Sequence, residues 1–512
     1  MSPGFPFHAP HDQAVLEISK KVEEFHAAKT PFRIYHGSTS STRVSPYRHN
    51  NIVNISRLNH VLGVDTTHRV VYAEPNVPMD LLVDSTLKYD LLPPVVMEFP
   101  GITVGGGFSG TSGESSSFRH GLFHRTVQQV EIVLGNGEIV VASESLRSDL
   151  FHGAACSFGT LGIVTLLAIR LVPATSFVSL TYIRVHSIDE AIERTKVEQE
   201  NERLDYLDGM LFARDRGVLC LGSLVSGPVP ETEIMQFSRP WDEWFYINAE
   251  KRSLNEESWN EIIPIRDYLF RYDRGAFWMG KYTYRYFAVP FNMFTRWLLD
   301  RYTHTRLMYH ALHRSGLSEQ FVIQDIAIPY ANTSRFVEYL DTNFQQYPLW
   351  ICPLRVQDKS VDSTYGLLAE KRDDVPREDM MMSIGVWGEG HTEIAKAIEW
   401  NKALECEIEN CGGEKWLYAH TFYSKEKFWS MFDQQQRDEL RLKYHASHLP
   451  TLYDKVKVNY GKNQASRDDG VVQWLLLLIW GIWPIKGLYG WLQCIIEEEH
   501  LLPKRKQPVF GG

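Results

Sequence analysis

The chain has 512 residues, with 53 Lys plus Arg against 63 Asp plus Glu and a formal net charge of −10. That length is enough for two domains with large cores, and the acidic balance excludes a nucleic-acid partner, which calls for a basic footprint. The six cysteines, at 156, 220, 352, 406, 411 and 494, form no C-x-x-C pair, so no disulfide scaffold and no metal site are expected, and a reducing compartment is. Residues 8–29 are polar and read as a helix, with no apolar stretch of the secretory type before them. Residues 35–43 form a small-residue loop, and residues 51–55 and 70–75 read as strands. Residues 102–104 are strand-like and enter a glycine-rich segment. Residues 130–134 and 138–141 alternate around Gly135-Asn136-Gly137, a hairpin signal. Beyond residue 176 the reading is strand 179–185, helix 188–199, and strands 207–212 and 218–224. Residues 225–330, rich in Trp, Tyr and Arg, read as an insertion. Helix 334–344, strands 349–354 and 382–387, helix 393–410 and strand 416–423 complete a second similar half.

The segment Pro100–Gly121 is denser in glycine and hydroxyl groups than an apolar core can use. Glycine lets backbone approach a ligand closely, and successive N–H groups flanked by Ser and Thr make an anion-binding concavity. The segment therefore reads as a cradle for a pyrophosphate. Gly105, Gly107 and Gly110 fit G-x-G-x-x-G, but a dinucleotide fold needs an amphipathic helix straight after them. Thr111 to Ser117 carries no apolar residue. The residues alone leave open a dinucleotide fold, a glycine-rich surface loop and a flavin cradle of another kind.

The order of the first loop, Thr103-Val104-Gly105-Gly106, the hairpin and Gly159-Thr-Leu-Gly-Ile-Val-Thr165 resembles the FAD-binding domain of the vanillyl-alcohol-oxidase (PCMH-type) flavoprotein superfamily. Within it, Gly113-Glu-Ser-Ser-Ser-Phe-Arg-His-Gly-Leu-Phe123 is similar to the signature of Δ24-sterol reductases. Ile263-Pro-Ile-Arg266, Gly275-Ala-Phe-Trp278, Gln324-Asp325, Tyr347–Pro353, Phe428–Asp433 and Leu452–Lys455 have counterparts in the same order, so the resemblance covers residues 15–458. It implies an α+β fold: a PCMH-type FAD-binding domain over 1–175, a ferredoxin-like α/β cap over 176–460, and a polar linker with an apolar C-terminal segment over 461–512. It implies FAD on Gly37, Ser38, Thr39, Ser40, Pro100, Thr103, Val104, Gly105, Gly106, Gly110, Thr111, Ser112, Glu114, Ser115, Ser116, Gly121, Gly162, Ile163 and Val164. Covalent relatives carry a histidine in the first loop, where Ser38-Thr-Ser-Ser41 stands here, so the FAD is expected to be non-covalent. The implied activity is NADPH-dependent reduction of a C=C bond (Δ24) in the side chain of a sterol or sterol-like lipid, by hydride from flavin N5. The alternatives are an FAD-dependent oxidase or dehydrogenase of a secondary metabolite, and a flavin-binding lipid protein without catalysis.

Reducing an alkene also takes a proton, from an acid on the cap strand that faces the flavin. Alternation along 416–423 puts Tyr418, His420 and Phe422 on one face. Tyr418 and His420 are the candidate donors, with Glu389 of Gly388-Glu389-Gly390 as a third. Arg271 and Arg274 can bind a nicotinamide phosphate or serve in ordinary salt bridges. At the C-terminus, residues 471–485 are apolar but short of the ~20 that span a bilayer. Trp474, Trp480, Trp483 and Trp491 are of the interface-seeking type, and Lys504-Arg-Lys506 can meet anionic headgroups. Polar residues 461–470 detach this tail, so attachment to a membrane surface is expected over docking on the core. The expected place is the endoplasmic reticulum membrane, with the catalytic domain in the cytosol.

Overall fold

The computed structural model describes residues 8–37, 50–227, 234–356, 379–391, 393–458 and 483–496. Ser38, Thr39 and Ser40, and residues 471–482 of the apolar tail, lie outside the described residues. Helix α1 (Ala9–Ala27) begins where the His8 ring accepts the His11 N–H, with Pro10 in its first turn. Val15, Ile18, Val22 and Phe25 form its buried stripe, packed with Val133 and Ile163. Strands β1 (Arg33–Tyr35) and β2 (Ile52–Asn54) pair in parallel. A five-stranded antiparallel sheet follows, built from β3 (Val61–Asp65), β4 (Val70–Ala73), β6 (Val127–Leu134), β7 (Ile139–Ser143) and β8 (Gly162–Arg170) in the order β3-β4-β8-β6-β7. The short strands β5 (Leu91–Leu92) and β9 (Val172–Pro173) pair beside it. Helices α2 (Met79–Thr86), α3 (Val104–Gly110), α4 (Ser117–His120) and α5 (Ser148–Ala154) fill the connections. Residues 102–104 are not a strand: Thr103 accepts the Gly106 N–H on its hydroxyl and starts α3.

One buried histidine ties α1 to this sheet. His11 Nδ1 lies 2.8 Å from Glu74 and Nε2 lies 3.1 Å from Glu131. Glu131 also accepts from the Thr165 hydroxyl at 2.7 Å. Burial alone would push the imidazole down, but the hydrogen bonds and charges of Glu131 and Glu74 outweigh it and lift its pKa to about 9.

The second sheet has eight strands, all antiparallel: β10 (Phe177–Val185), β11 (Tyr206–Ala213), β12 (Arg216–Val225), β13 (Trp259–Pro264), β14 (Phe321–Pro329), β15 (Leu349–Arg355), β16 (Met380–Glu389) and β17 (Glu414–Lys415). Their order is β13-β10-β12-β11-β15-β16-β14-β17. Helix α6 (Ile188–Glu198) follows β10. Helices α7 (Phe245–Arg252), α8 (Ile265–Leu269), α9 (Met279–Tyr286), α10 (Met293–Leu299) and α11 (Thr305–Ser315) lie between β12 and β14. Helix α12 (Tyr330–Asn343) follows β14, and α13 (Ile394–Asn410) follows β16. Two β-α-β-β runs, β10-α6-β11-β12 and β14-α12-β15-β16, therefore meet at β11 and β15. One sheet face packs under α6, α12 and α13 through Ile192, Phe336 and Leu404. The other carries Met210, Trp350, Cys352 and Trp387 into a core shared with Phe99 and Val104 of the N-terminal unit.

Two expectations change. Strand β14 lies within the stretch assigned to the insertion, which thus ends near residue 320. Residues 416–423 do not form a strand. Pairing with β14 stops at Lys415, whose ammonium is drawn to Glu405 at 2.6 Å, and the Ala419 N–H closes a turn on Trp416. Helices α14 (Lys425–Met431), α15 (Gln434–Lys443) and α16 (Leu452–Val456) follow. Part of the tail also differs from the expectation of a detached segment. Helix α17 (Ile485–Ile496) packs on α11, with Gly487, Gly490 and Cys494 turned inward and Trp491 set against Tyr302 at 5.1 Å between ring centroids. Among the described residues no helix is long and apolar enough to cross a membrane.

The two sheets are joined through Arg271. Its Nη2 donates to Glu98 at 2.9 Å and to Asp208 at 2.8 Å, and Tyr272 and Trp350 donate to the same Asp208 oxygen. All three charged groups are buried. Replacing Arg271 by Leu is expected to cost about 3–5 kcal/mol, because it strands two buried carboxyls. Urea unfolding measures this, and a loss under 1 kcal/mol would disprove the seam's importance. For His11, the folded pKa of about 9 lies above the unfolded 6.5. Its contribution is therefore complete below pH 6.5 and vanishes as pH rises through 9. At ~1.4 kcal/mol per pKa unit this amounts to about 3 kcal/mol. Stability of the native protein should fall between pH 7 and 10 more steeply than that of His11→Gln.

Candidate active site

The glycine segment does two different things. The first amides of α3 are already engaged: Val104 on Val77 O, Gly105 on Pro75 O, Gly106 on Thr103 Oγ1 and Gly107 on Thr103 O, at 2.8–3.2 Å. It is therefore not the open nest of N–H groups that its composition implied. Gly105 and Gly107 are packing glycines, since a Cβ would lie 2.6 Å from Pro75 and 2.5 Å from Met97. Gly106 and Gly110, one turn apart on a common helix face, are different. Among the described residues, a Cβ on Gly106 meets only Thr103 Oγ1 at 3.1 Å, and one on Gly110 only Phe158 at 3.6 Å, although Gly110 is itself buried.

Backbone strain gathers beside that face. Thr111 has φ 54, rare for a β-branched residue, and its hydroxyl is held 2.6 Å from His124 Nδ1. Cys156 (φ 58) and Phe158 (φ 52) are also left-handed, and their N–H groups are tied to Phe108 O and Ser109 O. Such strain concentrates where a ligand is clamped. His36, just before Gly37, is half-buried, and its enclosed Nδ1 has no partner among the described residues. Burial and the nearby Lys455 hold its pKa down at about 4, so it is neutral. The exposed Gly106, a strapped loop and a ring nitrogen without a partner among the described residues fit a flavin nucleotide. Of the other expected contacts, Ile163 is fully buried in the core and Val164 is half-buried. Pro100 O accepts the Asp80 N–H, and Gly121 takes φ 74 at the end of α4.

Much of the Glu114–Ser117 segment is committed to the seam instead. Ser115 donates to Glu98 at 3.2 Å and its carbonyl accepts the Leu207 N–H of β11. The Ser117 hydroxyl accepts the Glu114 N–H, and the Ser116 carbonyl caps the turn of α4. Arg119 donates to Leu204 O and Arg355 to Phe118 O across the junction. Glu114 accepts from the Ser112 hydroxyl. Burial, reinforced by the charge of Glu98, raises the Glu114 carboxyl well above the carboxylate range.

Asp325 stands on β14, and its charge adds to the upward shift of Glu114. It accepts from Trp387 Nε1 at 2.9 Å and from the Tyr418 hydroxyl at 2.8 Å. Burial raises its pKa to about 6 against those two donors. Tyr418 is pushed well above its usual range by burial and by Asp325, and Tyr309 also rises for the same two reasons. Phe99, Phe277, Tyr309 and Trp387 wall this group in, with centroids 5.1–6.0 Å apart. Asp325 and Tyr418 thus share a hydrogen bond inside a largely apolar enclosure, where an acid keeps its proton near neutrality.

The other candidates stand elsewhere. His420 is buried two residues beyond Tyr418, and its carbonyl accepts from Gln324 and Lys415. Asp325 takes its side-chain hydrogen bonds from Trp387 and Tyr418, not from His420. Glu389, at the end of β16, is half-exposed and ion-paired with Arg285. Arg271 is enclosed in the seam, and Arg274 is spent on Asp300 and the carbonyls of Phe237, Pro240 and Asp242. Neither is available to a nicotinamide phosphate. Sequence reasoning passed over Glu98, Asp208 and Tyr309, and gave Asp325 no role. An aspartate at the centre of the apolar run Phe321–Pro329 was the available signal.

Comparison with known proteins agrees with this geometry. The model of a family described as an FAD binding domain matches residues 12–143. Delta(24)-sterol reductases of Mus musculus and Homo sapiens are each 28% identical over 87% of this chain and 86% of their own. That of Arabidopsis thaliana is 27% identical over 77% of this chain and 74% of its own. The protein is thus a Δ24-sterol-reductase-like member of the PCMH-type FAD-binding flavoprotein superfamily, and an FAD-dependent oxidoreductase.

Proposed function

We propose that this oxidoreductase reduces the Δ24 double bond in the side chain of a sterol or sterol-like lipid, with non-covalent FAD and with NADPH as reductant. The observation that carries the reading is the Asp325–Tyr418 hydrogen bond beside the aromatic cluster of Phe99, Phe277, Tyr309 and Trp387. When bound, the flavin supplies hydride from N5, recharged by NADPH. The protein's own residues do the rest. Phe99, Phe277, Tyr309 and Trp387 offer an apolar slot for a hydrocarbon tail and exclude water. Asp325 holds Tyr418 Oη by its hydrogen bond and, below its pKa of about 6, adds a proton to the pair. Tyr418 Oη is the atom from which the proton passes to the second alkene carbon. Gly106, Gly110, Thr111 and the His36–Gly37 turn would hold the cofactor. A substrate of this class partitions into lipid, so the reading places the protein at a membrane, the endoplasmic reticulum, with its catalytic part in the cytosol. The free state of all described cysteines suits a reducing compartment.

Acid precipitation should leave the yellow colour in the supernatant; colour retained on the pellet would disprove non-covalent binding. Gly106→Val should fold normally, because Gly106 is exposed and, among the described residues, only Thr103 Oγ1 stands near its Cβ, yet lose most of its FAD. Full occupancy in that variant would move the cofactor off this face.

Anaerobic reduction by NADPH, followed by reoxidation with a Δ24-unsaturated sterol, tests the reaction itself. Peroxide release under oxygen with no response to the alkene would favour the oxidase alternative. Tyr418→Phe should lower kcat by about 10²-fold or more. Because Asp325 gives up its proton above about pH 6, kcat should decline on the alkaline side, and Asp325→Asn should remove that limb. An unchanged profile in Asp325→Asn would separate the pair from proton delivery.

A further inference from the structure

We infer that α10 and α17 together form a docking face for a lipid surface. Helix α10 has the sequence Met-Phe-Thr-Arg-Trp-Leu-Leu and buries none of its side chains. Met293, Phe294, Trp297 and Leu298 are all exposed, Met293 by 71% and Phe294 by 63%. They sit at i, i+1, i+4 and i+5, one helix face. Helix α17 presents Leu488, Tyr489, Leu492 and Ile496 in the same way, Ile496 at 71%, while its opposite side is buried. The two helices meet near Tyr302, which lies just after α10 and packs on Trp491 of α17. Trp483 adds an exposed ring where its Nε1 donates to Tyr286 O. So many exposed large apolar side chains on two neighbouring helices exceed the scattered ones of an ordinary surface.

The occupant follows from three features. Neither helix carries an Asp or Glu, while Arg296 and Lys486 sit on them, and the apolar groups are of the Trp, Tyr, Phe and Leu kinds that settle at a membrane interface. The sequence that reaches α17 is apolar from residue 471. That run falls short of the ~20 residues that span a bilayer, and α17 itself lies against α11, which suits contact with a surface and not passage through it. Finally, α11 connects this face to the site: Leu307 and Ala311 pack with α17, while Tyr309 reaches the aromatic walls. A lipid drawn from the surface has one helix to pass. That last point alone rests on the proposed substrate; the docking itself does not. Glu497–Glu499 follow α17, so insertion dominates over headgroup charge, and binding should be nearly independent of salt.

The test is flotation of the full-length protein with phosphatidylcholine vesicles, with and without an anionic lipid. The native protein should float with both. A Phe294→Ser, Trp297→Ser, Leu298→Ser variant should bind at least tenfold more weakly with unchanged thermal melting, since α10 buries nothing. Leu492→Ser with Ile496→Ser should weaken binding similarly. Leu442→Ser, exposed on α15, should change nothing. Failure of the native protein to float, or equal flotation of the α10 variant, overturns the proposal. So does sedimentation showing a dimer that the α10 variant splits, which would assign the face to a second copy. Turnover is not measured, so a wrong substrate leaves this result readable.

Discussion

The Arg271 guanidinium, buried between Glu98 and Asp208, decides how the two sheets can meet. A cation removed from water is tolerated only where carboxyls and further hydrogen bonds surround it. Here Tyr272 and Trp350 donate to the Asp208 oxygen that Arg271 also holds, while the other Asp208 oxygen and Arg271 Nε have no partner among the described residues. Two carboxyls for one cation leave an excess of negative charge, and the structure relieves it by protonation. Burial outweighs Arg271 at Glu98 and lifts its pKa to about 7. Ser115, hydrogen-bonded to Glu98, is thereby fixed, and with it the neighbouring Glu114, whose carboxyl feels the charges of Glu98 and Asp325. The arrangement of the acid site depends on this one junction.

The same enclosure supplies the chemistry. Water kept from the seam is kept from Asp325, Tyr418 and Glu114, and low polarizability raises all three toward neutrality or beyond. No single residue type is unusual; their shared burial is. Aromatic rings do the excluding, and they come from both sides of the seam: Phe99 from the N-terminal unit, Trp387 from β16, and Phe277 and Tyr309 from the segment inserted between β12 and β14. Function and domain association are therefore one physical problem, and a change that loosens the seam also rehydrates the acids.

The insertion serves three purposes at once. It supplies Arg271 to the seam, Phe277 and Tyr309 to the walls, and α10 and α11 to the outer surface where α17 packs. A segment of short amphipathic helices can do this because it has partners on both sides.

The sequence by itself determined the elements and the cofactor class. Periodicity placed α1, α6, α12, α13 and most strands, because each buries one face against a large core and repeats at 3.6 or 2 residues. The motif order around Gly105–Gly110, Glu114 and Gly162 pointed to FAD, because these residue types are costly anywhere else. Tyr418 was legible as a candidate, although by a strand argument that does not hold; the turn at Trp416–Ala419 is what brings its hydroxyl to Asp325. Only the tertiary structure decided which glycines pack and which stay open. That depends on Pro75, Met97 and Phe123, distant in the sequence from the glycines they touch or on the far side of a turn. It alone removed Arg271 and Arg274 from the phosphate candidates, since whether an arginine is exposed is not written in its neighbours. It alone turned residues 485–496 onto α11, because Gly487 and Gly490 allow a close approach that hydropathy cannot register. Burial is a property of pairs of surfaces, and one strand of sequence holds only half of each.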